Sequence, residues 1–332
     1  MTEVTPSAAW YDAQYNNRAR IPGHPEILQY WADASARAYA RPGWVLDLPY
    51  GNGAGERVDV LAATQPGAPV LVYIHGGYWR ALDKRDQSFV APPFADAGAM
   101  VVLANYALCP AVTIEHIVLQ LVRALAWVHR HAQAHGGDPA RIVVAGHSAG
   151  GHLATMLLAC DWKAVAPDLP VDLVKSVLSI SGLYELEPLR HAPFLAGDIG
   201  LTEASALRLS PAAMPAPLQG LLVTVVGGDE SEEFHRQVEL IGRAWSPRVI
   251  AAERVPGRNH MDVLNELADP SSRTHGLTME LLGLEDLQHV AQTRWTRVVE
   301  TGNTVTWDDA RQRLRARAAR QPSTGPLARK LR

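Results

Sequence analysis

The sequence predicts one α/β domain built on a mostly parallel sheet of about eight strands, with helices on both faces. Two observations carry this prediction. Short runs rich in β-branched residues, bounded by Gly, Pro or Asn, recur through the first 255 residues. From residue 70 onward helical patterns alternate with these runs, which is typical of parallel strands joined by right-handed crossovers.

The predicted strands and helices follow one another in order along the chain. The strands are Trp44–Leu48, Arg57–Ala62, Val70–Ile74, Met100–Ala104, Arg141–Ala145, Val174–Ile180, Leu221–Val226 and Val249–Val255. The helices are Ile114–His135, Ser148–Cys160, Glu232–Trp245 and Asp262–Ala268. The first two strands have no helix between them, so we expect them to pair antiparallel. Functional loops should gather at the carboxyl ends of the parallel strands.

Two segments flank the predicted α/β domain, which spans residues 44–270. Residues 1–43 are rich in Trp and Tyr, and we expect a helical arm that packs on the core and covers one edge of the sheet. Residues 271–332 are predicted to form a basic, partly disordered helical extension. Its first helix should run from Leu277 to about Val299, and a second should begin at Thr306, where Thr-Trp-Asp-Asp resembles a capping box.

Charge is distributed unevenly between these parts. Residues 291–332 hold ten Lys and Arg against three acids, a balance of +7, while the whole chain carries −3. Residues 1–290 therefore carry −10. An acidic body offers no basic face for nucleic acid, so we expect no nucleic-acid partner for the core.

The overall composition favours an ordinary globular protein. Of the 332 residues, 47% are apolar and 20% are charged, and no stretch is apolar for the length of a membrane span. Because the N-terminal residues lack the basic and apolar regions of a signal peptide, we expect a cytoplasmic protein with no membrane partner. Cys109 and Cys160 are interpreted as small buried hydrophobes. The sequence has no HExxH or CxxC motif, so we predict neither a metal nor a cofactor.

The strongest chemical signal is Gly146-His147-Ser148-Ala149-Gly150, which stands between a predicted buried strand and an apolar helix. A serine on such a sharp turn is held in strained backbone geometry, and the two glycines avoid steric clashes around it. The alternative is a plain glycine-rich turn. Because strand, turn and helix agree, we predict the α/β-hydrolase fold with Ser148 as the nucleophile.

A second motif, His75-Gly76-Gly77-Tyr78-Trp79, follows an earlier predicted strand. A His-Gly-Gly sequence in this position supplies a backbone N–H donor for the oxyanion of a tetrahedral intermediate, together with the residue after the nucleophile. We therefore predict Gly77, Tyr78 and Ala149 as the oxyanion hole. The alternative is an ordinary turn in which His75 packs locally.

The acid and the base should follow the nucleophile in the order Ser, Asp or Glu, His. Asp229 comes directly after a predicted strand and two glycines, and we favour it as the acid over Glu230, Glu232 and Glu233. His260 lies on a polar loop after the last strand, and we predict it as the base. Ser148, Asp229 and His260 would then perform acyl transfer to serine, followed by hydrolysis of the acyl-enzyme.

The residues around these motifs resemble those of the kynurenine formamidases, or arylformamidases, of the α/β-hydrolase type. The matching segments are His75-Gly-Gly-Tyr-Trp79, Asn105-Tyr-Ala-Leu-Cys-Pro110, Gly146-His-Ser-Ala-Gly-Gly-His-Leu153, Ser181-Gly-Leu-Tyr-Glu-Leu-Glu-Pro188 and Gly228-Asp-Glu-Ser231. The resemblance covers residues 70–262 and implies hydrolysis of N-formyl-L-kynurenine to L-kynurenine and formate in tryptophan degradation.

That substrate suggests which residues would bind it. We expect Trp79, Tyr106 and Tyr184 to contact its aromatic ring. A cation should bind its carboxylate, with Arg18 favoured and Arg80, Lys84 and Arg190 as other candidates. Two further functions stay open at this point: a broad carboxylesterase or amidase acting on short-acyl or aryl substrates, and a non-catalytic binding protein on a hydrolase fold. The sequence also leaves a homodimer open.

Overall fold

A computed structural model describes residues 6–284 and the backbone of residues 296–297. In this part of the chain nine strands form one sheet. They are β1 Trp44–Pro49, β2 Arg57–Leu61, β3 Ala68–Ile74, β4 Met100–Ala104, β5 Gly137–His147, β6 Val174–Ile180, β7 Leu221–Gly227, β8 Val249–Val255 and β9 Thr296–Arg297. All eight predicted strands are present, and the two-residue β9 is the one that the sequence pattern did not indicate.

The spatial order of the strands is β1-β2-β4-β3-β5-β6-β7-β8-β9. Every neighbouring pair from β4 to β8 is parallel. The β1–β2 pair is antiparallel, which confirms the prediction for the first two strands, and β2–β4 and β8–β9 are antiparallel as well. The carboxyl ends of β3, β5, β6, β7 and β8 therefore lie side by side at one edge.

Helices cover both faces of the sheet. The α-helices are α1 Ala8–Tyr15, α2 Asn17–Arg20, α3 His24–Tyr39, α4 Ala91–Asp96, α5 Ile114–His131, α6 Ala149–Leu158, α7 Trp162–Val165, α8 Pro193–Ile199, α9 Glu203–Arg208, α10 Glu232–Ala244, α11 Asn265–Ala268 and α12 Arg273–Leu282. Short 3₁₀ turns run over Lys84–Val90, Ala132–His135, Glu187–His191, Pro211–Ala213 and Asp262–Leu264. The four predicted helices are all found, two of them with one end in a 3₁₀ turn.

The core consists of two apolar layers, one on each face of the sheet. Strand β3 contributes to both, because Val70, Val72 and Ile74 point into one layer, while Leu71 and Tyr73 point into the other. Helices α5, α6 and α10 close the first layer, and α3, α4 and α12 close the second. Burial on both faces explains why the parallel strands read as continuous apolar runs.

The chain after residue 270 differs from its prediction. Helix α12 ends at Leu282, where Gly283 adopts a left-handed conformation with φ 66° and caps the helix. The predicted helix therefore does not continue through Gly283, and Thr296–Arg297 is a strand, while residues 285–295 lie outside the described residues. Leu277 and Leu281 are buried in the core, so the α/β domain continues past the predicted boundary at residue 270. The helix predicted from Thr306 lies outside the described residues.

The N-terminal arm, formed by α1, α2 and α3, packs on the domain in two places. Helix α1 lies against α8 and α10, with the Tyr15 and Phe234 ring centroids 5.8 Å apart. Helix α3 lies along the 3₁₀ turn Lys84–Val90, where the Ser35 hydroxyl donates to the carbonyl of Asp86. Among residues 6–284 no helix is long and apolar enough to cross a membrane. The cytoplasmic location stays a prediction.

Candidate active site

Ser148 lies in the sharp turn between β5 and α6, at the carboxyl edge of the sheet. Its backbone has φ 57° and ψ −119°, a conformation that L-residues rarely adopt. A Cβ atom on Gly146 would lie 2.2 Å from the carbonyl oxygen of Gly150, and one on Gly150 would lie 2.1 Å from that of Ile74. Both positions therefore require glycine, which keeps the turn tight and places Ser148 directly before the α6 N-terminus.

His260 connects Ser148 to a buried carboxylate. Its Nε2 atom is 3.0 Å from Ser148 Oγ, and its Nδ1 atom is 2.7 Å from Glu230 Oε2. The side chain of Glu230 is fully buried. The structure thus brings the two predicted residues Ser148 and His260 together. The prediction that Asp229 contacts the histidine is wrong, because the neighbouring Glu230 does so.

The turn after β7 explains why Glu230 takes this place. The backbone N–H of Asp229 donates to the carbonyl of Arg258, and the Asp229 side chain is exposed. The longer Glu230 side chain folds back over the end of the strand. There its Oε1 atom accepts hydrogen bonds from the Gly227 N–H, at 2.7 Å, and from the Ser181 hydroxyl. These two donors leave Oε2 for the imidazole of His260.

Ser181 is a contributor that the sequence argument did not assign. It follows β6, the strand between those that carry Ser148 and Glu230, and it has φ 49°. Its N–H donates to the carbonyl of Val225 at 2.7 Å, and this fixes the backbone while the hydroxyl faces Glu230. The motif Ser181-Gly-Leu-Tyr was visible in the sequence, but nothing in it indicated this contact.

The loop after β3 borders Ser148 from the other side. Gly77, Tyr78 and Trp79 all have positive φ, at 99°, 50° and 58°. A Cβ on Gly77 would lie 2.2 Å from the carbonyl oxygen of Ala81, so this position also requires glycine. Within residues 6–284 the N–H groups of Gly77, Tyr78 and Ala149 donate to no protein acceptor. They are therefore free to bind an oxyanion, which is the role that the sequence predicts for them.

Two neighbouring side chains hold this loop from beneath. The imidazole of His75 stacks on the Tyr106 ring with centroids 4.2 Å apart, and its Nε2 atom is 3.1 Å from Asn105 Oδ1. The Tyr106 hydroxyl donates to the carbonyl of His75 at 2.8 Å. Burial lowers the pKa of His75, so its ring stays neutral near pH 7. Above the loop, the Tyr78 hydroxyl donates to the carbonyl of Tyr15 in the arm at 2.6 Å.

A cleft of about 140 Å³ opens over Ser148. The arm supplies part of its wall, and the strand ends and adjoining loops supply the rest. The lining residues are Asn16, Asn17, Arg18, Leu28, Trp31, Gly77, Tyr78, Arg80, Ala81, Leu82, Gln87, His147, Ser148, Phe194, His260 and Met261. The arm is therefore part of the site, and not only a cover for one sheet edge.

Arg18 is the predicted cation that the structure places best for a substrate anion. It is exposed on α2 and lines the cleft, and it makes no ion pair within residues 6–284. The other three candidates are already paired: Arg80 with Asp198, Lys84 with Asp47 and Asp59, and Arg190 with Glu187.

Three predicted aromatic contacts are wrong. Trp79, Tyr106 and Tyr184 are buried in the core and do not line the cleft. Trp79 packs edge-on against His152 behind the loop, and the Tyr184 hydroxyl donates to Ser179 Oγ at 2.8 Å. The aromatic residues that do line the cleft are Trp31, Tyr78 and Phe194. Two of them come from segments that carry no catalytic motif.

A second cleft, of about 350 Å³, also borders His260. Its lining includes Arg20, Asp229 and Asn259, and it shares Asn17 and His260 with the first cleft. Asp229 thus remains near His260 without a hydrogen bond to it. Within residues 6–284 no group of His, Cys, Asp and Glu side chains has the arrangement of a metal site.

Comparisons with known proteins identify the family of this chain. A protein-family model described as BD-FAE matches residues 59–165. The kynurenine formamidase of Salmo salar is 30% identical over 275 residues, which cover 79% of this chain and 89% of the salmon protein. The chain belongs to the kynurenine formamidase family. This membership makes the chain a hydrolase of the α/β-hydrolase fold.

This chain is also similar to proteins described as esterases. A crystal structure from Silicibacter sp. TM1040, described as that of a candidate thioesterase, is 29% identical and superposes with a TM-score of 0.69. The match covers 78% of this chain and 95% of that one. Esterase LipQ of Mycobacterium tuberculosis is 33% identical over 149 residues, or 42% of this chain and 35% of the esterase.

Proposed function

We propose that this protein is a serine hydrolase that cleaves N-formyl-L-kynurenine to L-kynurenine and formate. The observation that carries the proposal is the hydrogen-bonded series from Ser148 through His260 to the buried Glu230, at the floor of a cleft partly walled by the arm. Family membership supports the choice of substrate.

The mechanism assigns a role to each group. Ser148 Oγ attacks the formyl carbon as its proton passes to His260 Nε2, and the N–H groups of Gly77, Tyr78 and Ala149 stabilise the oxyanion. The C–N bond then breaks, and His260 returns the proton to the leaving aniline nitrogen. Water attacks the formyl ester of Ser148 in the same way and releases formate. Glu230 orients the imidazole and stabilises its protonated form.

The cleft suits a small acyl group with an aromatic leaving group. Tyr78 narrows the opening above Ser148, and the ring planes of Tyr78 and Phe194 meet edge to face with centroids 5.5 Å apart. Trp31 and Leu28 add an apolar wall that can contact an aryl ring. In this proposal the guanidinium of Arg18, at the mouth, binds the substrate carboxylate.

Formate release from N-formyl-L-kynurenine tests the proposal, with the wild-type protein and Ser148→Ala measured side by side. We expect turnover by the wild type and a loss of at least about a thousandfold in the variant, because the nucleophile is removed. An unchanged circular dichroism spectrum would show that the variant is folded. Substantial formate release by folded Ser148→Ala would contradict the assignment of the nucleophile.

The second candidate is a broad carboxylesterase or amidase, which the match to the mycobacterial esterase favours. The same assay with short aryl esters distinguishes the two candidates. Rapid ester cleavage without turnover of N-formyl-L-kynurenine would be consistent with Ser148 as the nucleophile and would reject the proposed substrate. A non-catalytic binding protein is the third possibility. It predicts that Ser148 fails to react with a fluorophosphonate probe.

A further inference from the structure

Two buried polar atoms in the cleft have no protein partner. Gln87 and His147 line the cleft beside Ser148, and their exposed fractions are only 0% and 3%. Within the described part of the chain, Gln87 Nε2 and His147 Nδ1 make no hydrogen bond. An unpaired polar group in an apolar surrounding costs about 1 to 3 kcal/mol of free energy, so such groups commonly serve a ligand.

The surrounding hydrogen bonds determine the polarity of the Gln87 amide. Its Oε1 atom accepts from the Tyr73 hydroxyl at 2.7 Å and from the Gly76 N–H at 3.4 Å. The backbone N–H of Gly76 can only donate, so the amide oxygen must face it and the NH₂ group must be the one without a partner. Gln87 therefore offers the cleft a hydrogen-bond donor.

The polarity of His147 is determined in the same way. Its Nε2 atom is 2.7 Å from the carbonyl oxygen of His260, which can only accept. The proton therefore sits on Nε2, and Nδ1 is an acceptor. Burial and the neighbouring His260 lower the pKa of His147 to about 3, so this acceptor persists through neutral pH.

Gln87 and His147 line the same cleft as Ser148 and His260. A Cβ on Gly76 would be 3.3 Å from both His147 Nδ1 and Ser148 Cβ, and 2.8 Å from the carbonyl oxygen of His147, so the Gly76 backbone lies against both side chains and the position requires glycine. The His147 and His260 ring centroids are 5.0 Å apart. His147 and His260 are therefore neighbours in the wall of the cleft.

We infer that His147 Nδ1 and Gln87 Nε2 form a subsite for the leaving group of an aryl amide. The imidazole accepts a hydrogen bond from the N–H of the scissile amide. The glutamine donates to a carbonyl oxygen carried by the aryl ring at the position ortho to the amide nitrogen. This inference rests on the proposed hydrolase function. It adds a physical reason why the protein would cleave an aryl amide more efficiently than the corresponding ester. An ester has an oxygen in place of the N–H and leaves His147 Nδ1 unpaired.

The chemistry of amide cleavage explains why the acceptor matters. As the tetrahedral intermediate collapses, the nitrogen turns its lone pair toward the proton on His260 Nε2, and its N–H bond must point elsewhere. An acceptor in that direction stabilises the transition state, and a neutral imidazole provides it without an opposing positive charge.

The test compares two substrates that differ in one atom pair, 2-formamidoacetophenone and 2-acetylphenyl formate. The variant His147→Gln retains an amide N–H close to the position of Nε2 and removes the acceptor at Nδ1. We expect the ratio of kcat/KM for the amide to kcat/KM for the ester to fall about tenfold, the loss of one hydrogen bond. His131→Gln, an exposed position on α5, is the matched control and should leave the ratio at the wild-type value.

A second variant keeps the test decisive if His147→Gln does not fold. Gln87→Glu retains an oxygen for Tyr73 and Gly76 and replaces the donor with an acceptor. It should lower kcat/KM for 2-formamidoacetophenone relative to formanilide, which lacks the ring carbonyl, by about tenfold. Unchanged substrate ratios in the folded variants would overturn the inference and leave the proposed function intact. A wild type that cleaves the ester but no formamide would overturn both the proposed substrate and this subsite.

Discussion

Glu230 and Asp229 are adjacent acids after β7, and only Glu230 reaches His260. Its carboxylate is buried and accepts from the Gly227 N–H, the Ser181 hydroxyl and the imidazole. The Asp229 side chain is exposed. Side-chain length and the direction of the turn thus separate two residues that a sequence pattern treats as equivalent.

The pair predicts a sharp contrast between two isosteric variants. Glu230→Gln should lower kcat by about a thousandfold or more, because an amide cannot stabilise the protonated imidazole and can favour the wrong tautomer. Asp229→Asn removes a charge that makes no hydrogen bond to His260, and kcat should stay within about twofold. Steady-state rates on N-formyl-L-kynurenine measure both variants. A large loss in Asp229→Asn with little effect in Glu230→Gln would restore the original assignment.

The N-terminal arm connects helix α10 with the loop after β3 and lines the cleft over Ser148. The Tyr15 hydroxyl donates to Glu233 on α10 at 2.5 Å, while the carbonyl of the same residue accepts from Tyr78 in the loop after β3. Asn17 and Arg18 follow directly on α2 and line the cleft. An element far from the motifs in sequence therefore shapes the site.

Arg18→Met tests the role of the arm in binding. The variant keeps an apolar side chain of similar length and removes the charge, so KM for N-formyl-L-kynurenine should rise about tenfold with a smaller change in kcat. Formanilide, which has no carboxylate, should show little change in KM. Arg37→Met, an exposed position on α3, is the matched control. An equal rise in KM for both substrates would show that Arg18 does not bind the carboxylate.

At the scale of the whole molecule, buried histidines make the fold sensitive to acid. Burial lowers the pKa values of His75 and His275, that of His147 to about 3 and that of His152 to about 4. In the unfolded chain these groups titrate near 6.5. Below that pH the unfolded state binds protons that the folded state does not, so the free energy of unfolding falls as pH decreases from about 6.5 toward 4.

His152 allows the effect to be measured separately. Its Nε2 atom bonds the carbonyl of Leu209 at 2.8 Å, and His152→Gln keeps a donor there that does not titrate. Between pH 7 and pH 4.5 we expect the wild type to lose about 2 kcal/mol more unfolding free energy than this variant. Urea denaturation at the two pH values gives this difference. A pH-independent change in unfolding free energy caused by the substitution is the same at both pH values and therefore cancels. Equal losses would show that His152 does not titrate as described.

Local signals in the sequence specify most of the scaffold. The eight main strands, the antiparallel first pair, the sharp turn at Ser148 and the loop position of His260 all depend on local signals: apolar runs, glycines at a forced turn and the position of a residue after its strand. Helix α12 shows the limit of such signals. Its pattern continued past Leu282, but Gly283 ended the helix in a left-handed cap.

Which neighbouring side chains meet depends instead on how distant segments pack together. It selected Glu230 instead of Asp229, placed Trp79, Tyr106 and Tyr184 in the core, and brought Trp31 and Gln87 into the cleft. These outcomes depend on packing between segments far apart in sequence and on competition for buried hydrogen-bond donors. A strand pattern specifies which edge of the sheet a residue reaches, but the direction of its side chain follows from the partners that the completed fold offers.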